Sequence, residues 1–335
     1  MTALRYALRA AGLALFVAVV VYVPFRISDF RSSEFALIGI YFIAILGLNI
    51  LTGYTGAISL GHGAFMAIGA YTTAILVADH GMRDLWTIAI AGLVAAAAGT
   101  AFGLPALRLS GPYLALATFG IAVATPIVIK KFDGFTGGSG GINLFEAEGI
   151  TGLPEFVVTL PGGHQLSFND WLYYLTWTIA LVLFVVAWGI HHSRLGRSLR
   201  AIRDNELAAA ASGVWLASHK TLAFTLSAFY AGVAGALLAI SAFSVQPGAF
   251  PVERSIALVV GLAVGGLGSL APLVAGAAFL VFLPQWAQDI SKAPGVPSVI
   301  YGVVLILLMM VLPMGVGGLL RRIGSPLTSR LYRRS

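Results

Sequence analysis

The sequence of 335 residues is 59% hydrophobic and only 10% charged, with 40 Gly, no Cys and a mean hydropathy of +0.92. A soluble domain carries about 25% charged residues, so this chain lacks the polar groups to coat a water-exposed surface, which excludes disordered chains, disulfide-built secreted modules and free soluble enzymes. An all-α polytopic membrane protein remains, and its net charge of +7 is read by how it divides between two membrane faces rather than as a nucleic-acid signature.

A helix crossing the hydrocarbon layer needs about 20 mostly apolar residues. Residues 10–25, extended by Tyr6, form the first predicted span. Arg5 and Arg9 ahead of it resemble a signal peptide, yet Pro24, Phe25 and Arg26 stand where a small-residue cleavage site would be, so the segment is read as a retained helix. Residues 35–78 hold no charged side chain and predict two spans separated by the Gly-rich stretch 52–63. Residues 85–129, interrupted only by Arg108 beside Ser110, Gly111 and Pro112, predict another pair. Single spans follow at 171–193 and 221–252, then a pair at 255–288 broken around 265–272, and a last span at 293–320. The total is about ten transmembrane helices, some of them broken. Long continuous apolar runs of this kind exclude a barrel of ten-residue alternating strands.

Ten crossings put both termini on one face. Assigned to the cytoplasm, that face receives thirteen basic residues against Asp204 and Glu206, a net of +11. The opposite face receives Arg26, Arg31, Arg83, Lys130, Lys131, Arg254 and Lys292 against eleven acids, a net of −4. The Lys/Arg bias supports the orientation.

Two connections are long. Residues 132–169 form an extracytoplasmic, acidic loop carrying Thr136-Gly137-Gly138-Ser139-Gly140-Gly141, then Glu146, Glu148, Glu155 and Pro161-Gly162-Gly163. The Gly-rich run lacks the Lys and Ser/Thr of a phosphate-binding loop and is expected to be a flexible turn or small lid. Residues 191–220 face the cytoplasm, and within them 194–211 show a helical pattern with Leu195, Leu199, Ile202 and Leu207 near one face and Arg197, Arg200 and Arg203 near the other. Gly213 supplies a helix stop. A basic amphipathic helix of this kind can simply lie on anionic lipid, but the small, flat stretch 208–213 would also let another protein's backbone approach closely. Residues 321–335 form a basic cytoplasmic tail.

The missing chemistry narrows the function. There is no Walker motif, no GxSxG elbow, no Cys, and no metal-ligand spacing among the six His apart from the adjacent pair His191-His192. The apolar spans contain no acid, since Asp170 and Asp289 sit at span ends. Coupling to an ion gradient through a buried carboxylate is therefore not expected, and the energy source should be a partner. The polarity that remains at membrane depth gathers in the breaks: Asn49, Thr52, Thr55, Ser59 and His62 lie among glycines 47, 53, 56, 61 and 63, and a second break carries Gly265-Gly266-Leu267-Gly268-Ser269. Non-helical backbone at that depth survives only against protein or a water-filled cavity; close helix packing by small residues is the competing explanation.

Taken together, the segments 47–56, 59–65, 110–118 (Ser-Gly-Pro-Tyr-Leu-Ala-Leu-Ala-Thr), 136–141, 193–197 with Gly213, and 265–269 resemble the LivM-type inner-membrane permease of bacterial branched-chain amino acid ABC importers, a family extending to urea and short-chain amide importers. The resemblance covers residues 35–320 and implies a single permease domain over 1–335. It implies a coupling loop at 191–220, the counterpart of the EAA loop that docks into a groove on the ATPase. Arg194, Arg197, Arg200 and Arg203 would lie on that loop, with Glu206, Ala209, Ala210 and Gly213 where its acid, small residues and glycine fall. Its usual closing Leu-Pro is replaced by Thr221-Leu222-Ala223-Phe224. The implied partners are a LivH-type permease, two cytoplasmic ATPases of the LivG/LivF type that bind the ATP and Mg, a periplasmic substrate-binding protein and membrane lipid; no nucleic acid and no cofactor in this chain are expected. Thr55, Ser59, His62, Tyr113 and Thr118 are the candidate lining of the translocation pathway. A stand-alone secondary carrier, or a lipid-acting membrane enzyme built around His191-His192, are the rival classes.

Overall fold

The computed structural model describes residues 28–106, 109, 111–145, 167–293, 295–312 and 314–319, with isolated positions 20, 22, 24, 26 and 322. The expected first span at 10–25, Arg108, the loop acids Glu146, Glu148 and Glu155, residues 161–163 and all of the tail except Arg322 lie outside the described residues.

The chain folds as a helical bundle. α1 (Asp29–Leu48) runs on into a π-helical turn, Asn49–Gly53, and is followed by α2 (His62–Ala78), α3 (Asp84–Ala106), α4 (Pro112–Lys131) and the short α5 (Asp133–Thr136). β1 (Ile142–Asn143) precedes α6 (Phe168–His192), α7 (Arg194–Asp204), α8 (Glu206–Ala211) and α9 (Leu216–Ala242). β2 (Ser244–Val245) pairs antiparallel with β1, and α10 (Val252–Gly265), α11 (Leu273–Ile290) and α12 (Val296–Val311) complete the chain. Among the described residues, seven helical stretches are long and apolar enough to cross a membrane, and His62–Ala78 and Val296–Leu308 are shorter apolar helices.

α1 and α6 run parallel and are clasped at both ends. At the Asp29 end, Ser167 donates to the Asp29 carboxylate, Asn169 Nδ2 donates to it at 2.6 Å, and Ser32 donates to Asp170 at 2.7 Å. At the Gly53 end, the Tyr54 hydroxyl meets His191 Nδ1 at 3.1 Å. Between the clasps Trp177 Nε1 donates to the Phe35 carbonyl and stacks on Phe42.

α9 is the hub, and its contacts explain much of the glycine content. Lipid tails are as apolar as leucine, so helices in a bilayer associate by close packing rather than by hydrophobic expulsion. A Cβ on Gly69 of α2 would stand 2.1 Å from the Gly232 carbonyl oxygen, and one on Gly235 would stand 1.9 Å from that of Met66. Gly99 of α3 abuts Ala228, and Gly47 of α1 abuts Tyr230, whose hydroxyl donates to the Leu183 carbonyl of α6 at 2.8 Å. α4 and α12 instead leave Leu116, Ile127, Val299, Ile306 and Met310 exposed on the outside of the chain.

Three sequence expectations are narrowed or changed. Of the flexible turn or small lid expected at 136–141, the structure gives a turn, and a tight one: Gly137, Gly138 and Gly141 adopt positive φ, and Gly141 packs against the Val245 carbonyl where β1 meets β2. The amphipathic run 194–211 is two helices, because Asn205 (φ −162, ψ 111) caps α8 with its side chain on the Ala208 amide. That break turns Leu207 away from buried Leu199 and Ile202, leaving it 83% exposed. Finally, Glu253 and Arg254 belong to the first turn of α10 rather than to a loop at one face.

Gly235→Val should lower the stability of the detergent-purified chain by about 1–3 kcal/mol or more through forced separation of α2 and α9. Gly189→Ala on α6, where nothing lies within 4 Å, should leave the thermal unfolding midpoint unmoved.

Candidate coupling and translocation site

The loop between α6 and α9 is built from caps. Ser193 accepts the Gly196 amide at the start of α7, and Asn205 does the same for α8. α8 ends in a Schellman closure: the Gly213 amide donates to the Ala210 carbonyl and the Val214 amide to that of Ala209, each at 3.0 Å, with Gly213 at φ +86. Ala209 is buried, whereas Ala210 and Gly213 are exposed, and a Cβ added at Gly213 would meet nothing within 4 Å. Leu207 and Trp215, 83% and 78% exposed, flank this small-residue surface. Glu206 pairs with Lys220 at 2.7 Å, closing α8 onto the start of α9.

The arginines divide by role. Arg194 and Arg197 are exposed. Arg200 donates to the His191 carbonyl at 3.0 Å and to its Nδ1 at 3.1 Å, and its guanidinium lies 6.0 Å from the Tyr54 ring. Arg203 donates to the Gly53 carbonyl at 2.6 Å. A π-helical C-terminus leaves carbonyls without helical partners, and a cation there also meets the negative end of the helix. Arg203 therefore fastens α7 to the end of α1 and Arg200 fastens it to the end of α6, and the basic face is only partly available to another surface.

The two sequence breaks meet at this place. Asn49, fully buried, donates from Nδ2 to the Ser269 carbonyl and accepts the Gly268 amide on Oδ1, both at 2.8 Å. One side-chain amide thus satisfies two backbone groups of the turn between α10 and α11. The Ser269 hydroxyl donates to the Gly266 carbonyl. Sequence reasoning noted Asn49 as polar but gave it no partner, since the contact spans about 220 residues.

Of the candidate pathway residues, Thr55, Ser59 and Thr118 come together around the irregular segment 54–61. Thr55 donates to the Leu51 carbonyl at 2.6 Å, and Thr118 accepts the Leu60 amide at 2.9 Å. All three are buried. His62 is fully buried: Nε2 donates to the Ala44 carbonyl at 3.1 Å, and Nδ1 then accepts the Ser227 hydroxyl at 3.5 Å. It joins α2 to α1 and α9. Tyr113 is 69% exposed on the outside of α4 and joins none of the others. Thr55, Gly56, Ala57, Glu206, Lys220 and Phe224 share a cleft of about 50 Å³, room for a few waters. Among the described residues, no group of three His, Asp or Glu gathers as a metal site would require.

Residues 32–313 match the family model described as branched-chain amino acid transport system / permease component. The chain is 33% identical over 306 residues to the high-affinity branched-chain amino acid transport system permease protein LivM of Escherichia coli K12, covering 87% of this chain and 71% of that one. It is 25% identical over 295 residues to the corresponding LivH permease of Salmonella typhimurium (83% and 91% covered), and 25% identical over 278 residues to the ribose import permease RbsC of Escherichia coli K12 (80% and 81%). No solved structure matches the chain.

Asn49→Ala should destabilise the folded chain by about 1–3 kcal/mol, because the Gly268 amide and Ser269 carbonyl are left without partners inside the bundle. Thermal unfolding in detergent measures it.

Proposed function

The chain belongs to the branched-chain amino acid transport system permease family, and from that premise we propose that it is one permease subunit of an ATP-driven importer of leucine, isoleucine and valine in the bacterial inner membrane. A LivH-type permease, two cytoplasmic ATPases carrying the ATP and Mg, and a periplasmic binding protein complete it. Ten crossings place both termini and the α6–α9 loop in the cytoplasm and the β1–β2 ribbon outside. The chain hydrolyses nothing itself; it receives work through α7 and α8.

The observation that carries this reading is the form of that loop. α8 and the turn after it present Leu207, Ala210, Gly213 and Trp215 exposed, while Arg203 ties the adjoining α7 to the broken end of α1 and Arg200 ties it to the end of α6. A push on α8 is thereby transmitted to segment 54–61 and, through Asn49, to the turn after α10. In this closed arrangement the cytoplasmic cleft beside Thr55 admits only waters, so opening it is the step that ATP hydrolysis must drive. Exposed apolar groups beside a small-residue stripe also favour a protein partner over simple adsorption to anionic lipid.

Leu207→Asp, Glu206→Lys and Gly213→Val, introduced into the reconstituted complex, should each reduce ATP-dependent leucine uptake at least about tenfold. For Leu207→Asp, an exposed change, the stability of the isolated chain should stay within about 0.5 kcal/mol. Unimpaired uptake with normal assembly would overturn the coupling role. Leucine movement by the purified chain alone, without ATP, would establish the secondary-carrier reading instead.

A further inference from the structure

Resting on the importer reading, we propose that Arg254, with the Tyr41 hydroxyl, forms a carboxylate-binding subsite halfway across the membrane for the amino acid in transit. Its depth follows from the helices. Tyr41 lies twelve residues from each end of the helical stretch Asp29–Gly53, about 18 Å from either. Arg254 Nη1 donates to the Tyr41 hydroxyl at 2.9 Å. The neighbouring Ser255 accepts the Gly63 amide, at the start of the 17-residue helix α2, whose His62 binds Ala44. The first turn of α10 therefore sits in the middle of the bundle, although the sequence places Arg254 in a connection.

A guanidinium at that depth is costly and persists where it faces protein or water rather than lipid. Among the described residues its contacts are one hydrogen bond to Tyr41 and the rings of Tyr41 and Phe250, 6.0 and 5.8 Å away; no carboxylate pairs with it, and it is only partly buried. Glu253 beside it is exposed and likewise makes no ion pair among the described residues, and a carboxylate at that depth persists only beside protein or water. Rings behind a guanidinium leave its donor edge open to a planar two-oxygen acceptor, the geometry that carboxylates match.

A route leads there. Arg31, Glu34, Phe35, Phe282 and Gln285 line a cleft of about 590 Å³ at the Asp29 end of α1 and α11, which the proposed topology places outside. Tyr41 follows Glu34 by seven residues, two turns along the same face of α1. An amino acid entering that cleft would meet Arg254 about 10 Å further in, short of the closed segment 54–61.

The test uses the complete importer in vesicles with radiolabelled leucine and its binding protein. Arg254→Gln should lower leucine moved per ATP hydrolysed by roughly tenfold to a hundredfold, with assembly and the ATPase rate stimulated by loaded binding protein within about twofold of wild type. Arg254→Lys should recover most of the loss, and Tyr41→Phe should raise KM more than it lowers kcat. Wild-type uptake by Arg254→Gln overturns the proposal and leaves the importer reading standing. Loss of assembly and ATPase in step with uptake, unrescued by Lys, also overturns it, since that is the behaviour of a helix tether. Failure of the wild-type complex to move any branched-chain amino acid removes both readings.

Discussion

Backbone hydrogen bonding at membrane depth is the constraint on which this architecture depends. With no water in the hydrocarbon layer, each amide and carbonyl released by a broken helix must be met by another part of the protein. The chain breaks its helices twice, after α1 and after α10, and the two breaks answer each other: Asn49 completes the 268–269 turn while Arg203 takes the Gly53 carbonyl. Segment 54–61 is satisfied in turn by Thr52, Thr55 and Thr118. These contacts are few, polar and shared, so displacing one loosens the others. A continuous helix pair held by leucines would have no such linkage.

That linkage continues into the loop between α6 and α9. α7 is anchored to the break by Arg203 and to the end of α6 by Arg200, and α8 hangs from it by the Asn205 cap, with the Glu206–Lys220 pair joining it to α9. An exposed ion pair of this kind contributes little to stability, so its value lies in fixing where α8 points. Leu207 and Trp215 remain uncovered by the chain itself.

What could be read from sequence was whatever composition or local chemistry encodes. Apolar runs gave the helices α1 to α4, α6 and α9 to α12; glycine clusters marked both breaks, and Gly213 marked the end of α8. The pairing of the breaks was not legible, because Asn49 and Ser269 are remote in sequence and nothing local to either names the other. Asn205 was overlooked as a cap inside an otherwise periodic run, which displaced Leu207 to the wrong face. His62 has the appearance of a pathway residue, yet its two ring nitrogens are consumed by Ala44 and Ser227, a packing role that only three-dimensional neighbours reveal. The sequence places Arg254 at a membrane face because charges usually sit there, whereas the first turn of α10 lies beside Tyr41, at the middle of α1.

The similarity to both LivM and the ribose permease RbsC bears on where selectivity can reside. Relatives whose names specify an amino acid and a sugar align over most of this chain's length, so the shared sequence is compatible with cargoes of different chemistry. Discrimination must then rest on a small number of side chains that face the cargo. Uncharged hydroxyls such as Thr55 and Ser59 hydrogen-bond either cargo alike, and both are already engaged in the fold or buried within it. A fixed cation differs, because it contributes strongly to a carboxylate and little to a neutral polyol. Given the cost of a guanidinium at that depth, a side chain whose contacts are one bond to a tyrosine and two aromatic rings is the natural place for that discrimination.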